Sequence, residues 1–461
     1  MQLQTPPRPG RRARNTTAAR FETLRRVEFA RLDATGSVYL DHTGSALYPA
    51  SLVRRHAATL VDGVFGNPHS ENPSARSSTE RVDLARAAVL RFFDADPAEY
   101  GVCFTTNATA AIKLVGESFP FTTGSRFVLP ADNHNSVNGI REFARRRGAR
   151  VDYLPLDSEL RLLNPERALP AAGSSPSLFA LPAQSNFSGV KHPLELVSRA
   201  RTHGYAVLLD AAAYAPTQAL SLRAVRPDFV TVSFYKMFGY PTGVGALIAR
   251  RQTLARMQRP WFAGGTIEFV STMLQQTHVL RTGDDAFEDG TQNFLDIAAV
   301  PAGLALLGDI GMEAIAAHVA RLTDRLLGRL RQLRHCGGSP LVELYGPASM
   351  NGRGATLAFN VLDRHGRVIA HERVVRAAAA QNISLRGGCF CNPGAAEAAF
   401  GYTPERVRHC VDGMRNGFTQ AAFAACMAGS PAGAVRASLG LASNDADVDR
   451  FLRFLAGCPC A

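Results

Sequence analysis

Two neighbouring stretches decide the fold: YAVLLD (205–210) and DFVTVSFYKMFGYPTGVG (228–245). Each begins as a short apolar run and ends in polar residues, and segments of helix length separate other runs of this kind. Such alternation predicts parallel βαβ units in a sheet that helices cover on both faces. Ligands of open α/β sheets bind beyond the carboxyl ends of the strands. Asp210 and Lys236 therefore lie where a ligand is expected.

The same pattern continues outward from this stretch. After about residue 310 the texture changes to long helices, short strands and a glycine-rich loop, which predicts a smaller α+β domain. In the larger part we predict helices at 80–94, 137–147 and 193–203, and buried strands at 101–106, 125–130 and 177–182.

Composition limits the possible functions. The 461 residues are 46% hydrophobic and carry a net charge of +12, but no apolar run reaches the length of a membrane span. The arginines are scattered and no nucleic-acid-binding motif accompanies them, so we expect no nucleic acid and no membrane as partner. A basic balance favours phosphates and carboxylates. The N-terminus lacks the apolar core of a signal peptide, which predicts a cytoplasmic protein with reduced cysteines.

Only three lysines are present, so the search for a reactive amine is short. Lys113 lies in a helix-like run and Lys191 in a turn, whereas Lys236 follows a buried strand and has apolar neighbours. Burial would lower the pKa of its amine and favour imine chemistry. Asp210 ends a strand one βαβ step earlier, as either a helix cap or the partner of a pyridinium nitrogen. Together these two residues predict pyridoxal phosphate as cofactor.

Two further features suit that cofactor. The loop 106–110 joins a predicted strand to a predicted helix, where backbone N–H groups and a hydroxyl can bind a phosphate. His134 is either an ordinary loop histidine or a ring that stacks on the cofactor and moves protons. Each signal is weak alone, and both gain weight from Lys236 and Asp210.

The loop LRGGCFCNPGA (385–395) places two thiols among glycines and a proline. Cys389 and Cys391 are therefore expected to be accessible, and cations such as Arg386 would lower the pKa of a nucleophilic thiol. The alternative is a zinc site with Cys458 and Cys460. Cys-x-Cys is short for zinc and no histidine is near, so we predict no metal.

Seven motifs in order resemble a known family. The chain is similar to the amino-terminal desulfurase domain of molybdenum cofactor sulfurases, in the class V aminotransferase/cysteine desulfurase superfamily, without their second, cofactor-binding domain. The resemblance implies a fold-type I enzyme: a mixed, mostly parallel seven-stranded sheet flanked by helices, plus a smaller α+β C-terminal domain. The motifs are YLDHTGSALYP (39–49), FGNPHSENPS (65–74), PAQSNFSG (182–189), SFYKMFGYPTGVGAL (233–247), FEDGTQNFLD (287–296), RGGCFCNPGA (386–395) and VRASLG (435–440).

The resemblance also implies a role for individual residues. Lys236 aligns with the Schiff-base lysine, Asp210 with the partner of the pyridine nitrogen, and Thr266 lies near a residue that reaches the phosphate of the other subunit of a homodimer. The residues expected to bind the cofactor are Lys236, Asp210, His134, Asn107, Ala108, Thr109, Asn186, Ser233 and Thr266.

Catalysis and substrate binding are assigned in the same way. Arg436 aligns with the arginine that grips the substrate carboxylate, and we expect Asn186 and Arg386 to bind substrate with it. Cys391 aligns with the persulfide-forming cysteine and acts with Lys236 and His134. The domains expected are a disordered basic tail (1–20), an N-terminal segment packing with the small domain (21–60), a large cofactor-binding domain (61–310) and a small domain carrying the cysteine loop (311–461).

The sequence favours a cysteine desulfurase that converts L-cysteine to L-alanine and passes a Cys391 persulfide to an acceptor, either a protein or a small molecule. A C–S lyase, aminotransferase or epimerase without a persulfide is the alternative, because this fold hosts many reactions. A binding protein without activity is disfavoured by the Lys236–Asp210 pair.

Overall fold

The computed structural model describes residues 11–165, 167, 169–414, 417–427 and 430–457. The helices are α1 Arg11–Glu28, α2 Arg31–Ala34, α3 Ala50–Asp62, α4 Pro73–Phe92, α5 Ala108–Ser118, α6 Asn135–Asn138, α7 Ile140–Arg146, α8 Glu195–Thr202, α9 Leu222–Val225, α10 Phe234–Phe238, α11 Arg251–Leu254, α12 Phe294–Ile297, α13 Val300–Ile310, α14 Met312–Leu330, α15 His371–Ala379, α16 Pro393–Ala399, α17 Pro404–Asp412, α18 Gln420–Cys426 and α19 Asp445–Ala456, with a 3₁₀ turn at Asp284–Phe287. The strands are β1 Val38–Tyr39, β2 Tyr100–Thr105, β3 Arg126–Pro130, β4 Arg150–Leu154, β5 Ser177–Pro182, β6 Tyr205–Asp210, β7 Phe229–Ser233, β8 Gly245–Arg250, β9 Ile267–Val270, β10 His278–Leu280, β11 Val342–Tyr345, β12 Thr356–Val361, β13 Ile383–Ser384, β14 Arg386–Gly388 and β15 Ala434–Ser438.

Seven strands of the described chain form one sheet in the order β2-β8-β7-β6-β5-β3-β4. All neighbours are parallel except β8, which runs antiparallel to both β2 and β7. Along β5, Leu178 and Ala180 belong to one apolar cluster, whereas Phe179 and Leu181 belong to another. Both faces of the sheet are thus covered, as the continuous apolar runs predict.

A second, antiparallel sheet has the order β11-β12-β15-β14 and is covered by the later helices. The N-terminal segment reaches this part of the chain, because β1 pairs with β13 in parallel and Asp41 forms a bridge with Ser438. Residues about 400 positions apart therefore meet beside the carboxyl edge of the large sheet.

Several elements differ from the expectation. Strand β4 was not predicted from the sequence, and Gly245, the first residue of β8, was assigned to a loop. The predicted disordered tail at 1–20 is helical from Arg11 onward, since α1 continues into residues that pack on α14, and residues 1–10 lie outside the described chain. Cys410 and Cys426 form a disulfide, which corrects the expectation of reduced cysteines, because α17 and α18 bring their Cα atoms to 5.7 Å.

Two further kinds of feature are absent from the described residues. They contain no single helix that is long and apolar enough to span a membrane. By length and composition, the two segments Phe294–Ile310 and Met312–Leu330 reach that limit together, as a pair bent by 70°. They also contain no group of three or more His, Cys, Asp or Glu residues that could hold a metal ion. Cys458 and Cys460, the suggested zinc ligands, lie outside the described residues.

One buried cation ties α1 to the C-terminal helix. The Arg25 guanidinium is 4% exposed and donates to Asp33, to the Ala442 carbonyl and to both carboxylate oxygens of Asp447, the shortest at 2.6 Å. Asp447 is itself buried at the start of α19. A buried carboxylate that loses its cation is costly.

We expect Arg25→Met to lower the free energy of unfolding by about 3 kcal/mol, because Asp447 stays buried without its partner. Arg26→Met is the matched control, since that side chain is exposed and donates to Thr23. Urea unfolding followed by circular dichroism measures both. Equal losses in the two variants would contradict the importance of the buried pair.

Candidate functional site

Lys236 lies on the short helix α10, directly after β7 and at the carboxyl edge of the sheet. Burial lowers the pKa of its amine, the nearby Asp210 carboxylate acts in the opposite direction, and Arg436 lowers the pKa further. A lysine held this way is shifted toward the neutral amine that imine formation requires.

Asp210 is the last residue of β6, the neighbouring parallel strand. Its Oδ1 accepts hydrogen bonds from the Ala212 backbone N–H (3.0 Å) and from the Thr231 hydroxyl (3.4 Å). These contacts hold the carboxylate at the strand end, within electrostatic reach of Lys236 and His134. The sequence expectation for its position is met, and its role toward a cofactor stays a prediction.

The loop before α5 forms a compact cradle at the N-terminus of that helix. The Asn107 side chain caps the helix by accepting from the Ala110 N–H (3.0 Å), and the Ala108 N–H donates to the Ser233 hydroxyl (2.9 Å). A Cβ at Gly245 would meet the Asn107 Cα at 2.6 Å and the Val232 carbonyl oxygen at 2.7 Å. Only glycine allows this approach, so the N-terminus of α5 lies close against β7 and β8.

His134 caps α6 beside this cradle. Its Nδ1 accepts from the Ser136 N–H (3.1 Å), and the Ser136 hydroxyl bonds the Thr109 hydroxyl (2.7 Å). Burial lowers the pKa of His134, the nearby Lys236 lowers it further, and Asp210 opposes the shift. The imidazole is therefore favoured in its neutral form, with both a proton donor and an acceptor nitrogen.

The cysteine loop lies across from these groups. Cys391 is exposed, whereas Cys389 is only partly exposed and packs in an apolar cluster. The backbone is fixed on both sides of the thiol, because the Asn135 N–H donates to the Cys391 carbonyl and Asn392 Nδ2 donates to the Asp132 carbonyl, both at 2.7 Å. The exposed thiol thus extends from a turn that is anchored to the large sheet.

Two arginines and one carboxylate form the polar wall next to the thiol. The Asp41 carboxylate accepts a hydrogen bond from Nη2 of Arg386 (2.5 Å) and another from Nη2 of Arg436 (2.9 Å). Arg436 is 2% exposed, also donates to the Asn186 carbonyl (3.1 Å), and its Nε is buried without a hydrogen-bond partner. Charges on Arg436, Arg386 and Lys236 all interact with Cys391.

The structure therefore brings together most of the residues singled out from the sequence. Asn186 differs in its contacts, because its side chain donates to the Phe390 carbonyl (2.7 Å) and accepts from Asn392 (2.9 Å). Thr266 does not join this network: its hydroxyl bonds the backbone of Ala263 within its own loop.

Three residues of the site were missed. Asp41 lies two residues beyond the end of the short β1, and its partners Arg386 and Arg436 lie 345 and 395 positions further along the chain. Asn392 precedes Pro393 and Gly394, and Asn before a proline is a typical start of a helix, here α16. Phe390 lies between the two cysteines and gave no polar signal at all.

The fold has a close structural relative. The apo cysteine desulfurase of Thermococcus onnurineus NA1 superposes with a TM-score of 0.78 over 94% of this chain and 97% of that one, at 23% identity. This similarity confirms the predicted fold class.

The chain belongs to the aminotransferase class-V family, whose sequence model matches residues 38–451. Molybdenum cofactor sulfurase of Bos taurus is 36% identical over 457 residues, which cover 94% of this chain and 51% of that protein. The Homo sapiens sulfurase is 37% identical over 94% of this chain and 50% of its own length. The chain thus spans about half the length of these curated relatives. The predicted family is confirmed.

Proposed function

We propose that this chain is a pyridoxal-phosphate-dependent cysteine desulfurase that converts L-cysteine to L-alanine and carries the sulfur as a persulfide on Cys391. One observation carries the proposal: an exposed thiol, Cys391, lies within electrostatic reach of both the buried Lys236 amine and the buried Arg436 guanidinium. The relatives named above are molybdenum cofactor sulfurases and a cysteine desulfurase, and their similarity to this chain supports the proposal.

The residues present fit pyridoxal phosphate. Lys236 supplies the amine for its aldehyde, Asp210 the carboxylate for its pyridine nitrogen, and the cradle of Asn107, Ala108 and Ser233 the site for its phosphate. Bound there, the cofactor supplies an electron sink for bonds at the substrate α- and β-carbons.

The chain's own residues then divide the remaining work. Arg436, a rigid guanidinium fork, binds the substrate carboxylate with Asn186 beside it. Lys236 takes the proton from the substrate α-carbon and returns it, because its pKa is lowered and the amine can act as a base. His134, whose pKa is also lowered, is a neutral imidazole that helps to move this proton.

Sulfur transfer needs one further nucleophile. The Cys391 Sγ attacks the substrate sulfur, so that an S–S bond forms while the substrate's C–S bond breaks. The thiol proton and the electrons of the broken bond remain with the three-carbon product, which leaves as alanine. Cysteine and a thiol thus give alanine and a persulfide, with no external oxidant. The persulfide is then passed to an acceptor.

Replacing Cys391 with Ser tests the proposal. With L-cysteine we expect alanine formation to fall roughly a hundredfold, because the sulfur loses its acceptor nucleophile. Mass spectrometry of the native protein should find one added sulfur on the peptide that carries Cys391. Cys389→Ser, the matched control on the same loop, should retain its rate within about threefold. Undiminished alanine formation by Cys391→Ser would contradict a persulfide on this residue, and pyruvate in place of alanine would indicate a C–S lyase.

Asp41→Asn tests the arginine wall. We expect KM for cysteine to rise about tenfold, equivalent to about 1.4 kcal/mol, with a smaller change in kcat, because Arg386 and Arg436 lose the carboxylate that fixes both. Asp62→Asn, an exposed acid on α3, serves as control. An unchanged KM in Asp41→Asn would show that the arginines orient without it.

We further propose that the enzyme is a homodimer, and that β9 and β10 contact the second copy. This hairpin, which follows Thr266, exposes several apolar side chains, including Met273 at 92% and Leu274 at 64% in the turn between its strands. Exposed patches of this kind mark interaction sites. The cytoplasmic location stays a prediction.

The double variant Met273→Asp, Leu274→Asp should sediment as a monomer, because two charges would be buried in the interface. Val61→Asp, on α3 and also exposed, at 83%, should leave the dimer intact. Sedimentation velocity at micromolar concentration distinguishes the two. A native protein that is already monomeric would refute the dimer.

A further inference from the structure

Phe390 connects the arginine wall to the thiol loop. It lies between Cys389 and Cys391, and its ring is 7% exposed. The Arg436 guanidinium carbon is 4.8 Å from the centre of this ring, within the range of a cation–π contact. The Phe390 ring also contacts the ring of Phe187, and the two ring centres are 5.3 Å apart. Any movement of the Arg436 guanidinium therefore changes the surface on which Phe390 packs.

The backbone of Phe390 and of the next residue is held as firmly as the ring. The Phe390 carbonyl accepts from Asn186 Nδ2 and the Cys391 carbonyl from the Asn135 N–H, both at 2.7 Å. Both residues adopt a left-handed backbone, with φ of 56° and 55°. Because both carbonyls are hydrogen-bonded, the backbone between the ring and the thiol has little freedom to move. A displacement of the Phe390 ring is therefore transmitted to the adjacent Cys391 thiol.

Arg436 has the means to respond to a ligand. Its guanidinium is bonded to Asp41 and to the Asn186 carbonyl, and its buried Nε has no partner. A bound carboxylate would add a partner to this group and compete with Asp41. Asn186 strengthens the link, because its main chain contacts Arg436 while its side chain contacts Phe390.

We propose that Phe390 is a positioning residue that couples occupation of Arg436 by a substrate carboxylate to presentation of the Cys391 thiol. The inference rests on the proposed function for the assignment of Arg436 as the carboxylate ligand. Because the ring contacts Arg436 and its backbone adjoins Cys391 in the anchored turn, loss of the ring affects both the affinity for the carboxylate and the reactivity of the thiol.

The test uses the full-length holoenzyme and L-alanine, which carries the carboxylate but no sulfur. In Phe390→Leu we expect the Kd for L-alanine, followed by the visible spectrum, to rise about tenfold. In the same variant, iodoacetamide should alkylate Cys391 about tenfold faster in the absence of ligand, because the turn is no longer held against Arg436. Peptide mass spectrometry separates Cys391 from Cys336, the other free cysteine that is exposed among the described residues.

Three variants complete the design. Phe390→Tyr keeps the ring face and should restore both values to within twofold. Phe390→Met fills similar space without a ring and should behave as Phe390→Leu, which covers the case of a misfolded leucine variant. Phe400→Leu is the matched control, because it belongs to the same apolar cluster and contacts Phe187 and Tyr345. It should leave both values unchanged.

The proposal is overturned if either the L-alanine affinity or the alkylation rate stays native in both ring-less variants. It is also overturned if Phe400→Leu shifts both values as strongly, since the effect would then be one of general packing. Neither readout requires turnover of cysteine. A native protein that binds L-alanine and shows this coupling but yields no persulfide would refute the proposed function while leaving the coupling in place.

Discussion

The contact between Asp41 and Arg436 joins parts of the chain that are 395 positions apart. Asp41 belongs to the N-terminal segment, Arg436 to a strand of the small sheet, and Arg436 also touches Asn186 from the large sheet. A buried guanidinium is costly without a counter-charge, so Asp41 and the backbone carbonyl of Asn186 hold the three segments in one arrangement.

Around that contact, charges are arranged to favour neutral bases. Burial and neighbouring cations lower the pKa of Lys236 and of His134, while Asp210 limits the shift of both. A single carboxylate, Asp41, partly offsets two arginines. The wall therefore keeps a net positive charge, which suits a substrate with one carboxylate.

Local sequence patterns were sufficient for five strands of the large sheet, β2, β3, β5, β6 and β7, and for residues at its carboxyl edge. Strands β6 and β7 are continuous apolar runs, so Asp210 and Lys236 could be placed without any tertiary information. The antiparallel β8 could not, because its pairing with β2 joins residues nearly 150 positions apart and glycines precede it. Asp41 was not predicted for the same reason: its hydrogen-bond partners are distant in sequence, and the local spacing of residues does not indicate such pairs.

The turn at Phe390 and Cys391 also has an evolutionary and engineering meaning. Two successive non-glycine residues in the left-handed region cost about 1 kcal/mol or more each, and glycine would remove that cost. The sequence already uses glycine at 387 and 388, yet keeps side chains at the two strained positions. Mutations selected only for thermal stability would be drawn toward glycine there and would erase the thiol, so this turn is where robustness and activity conflict.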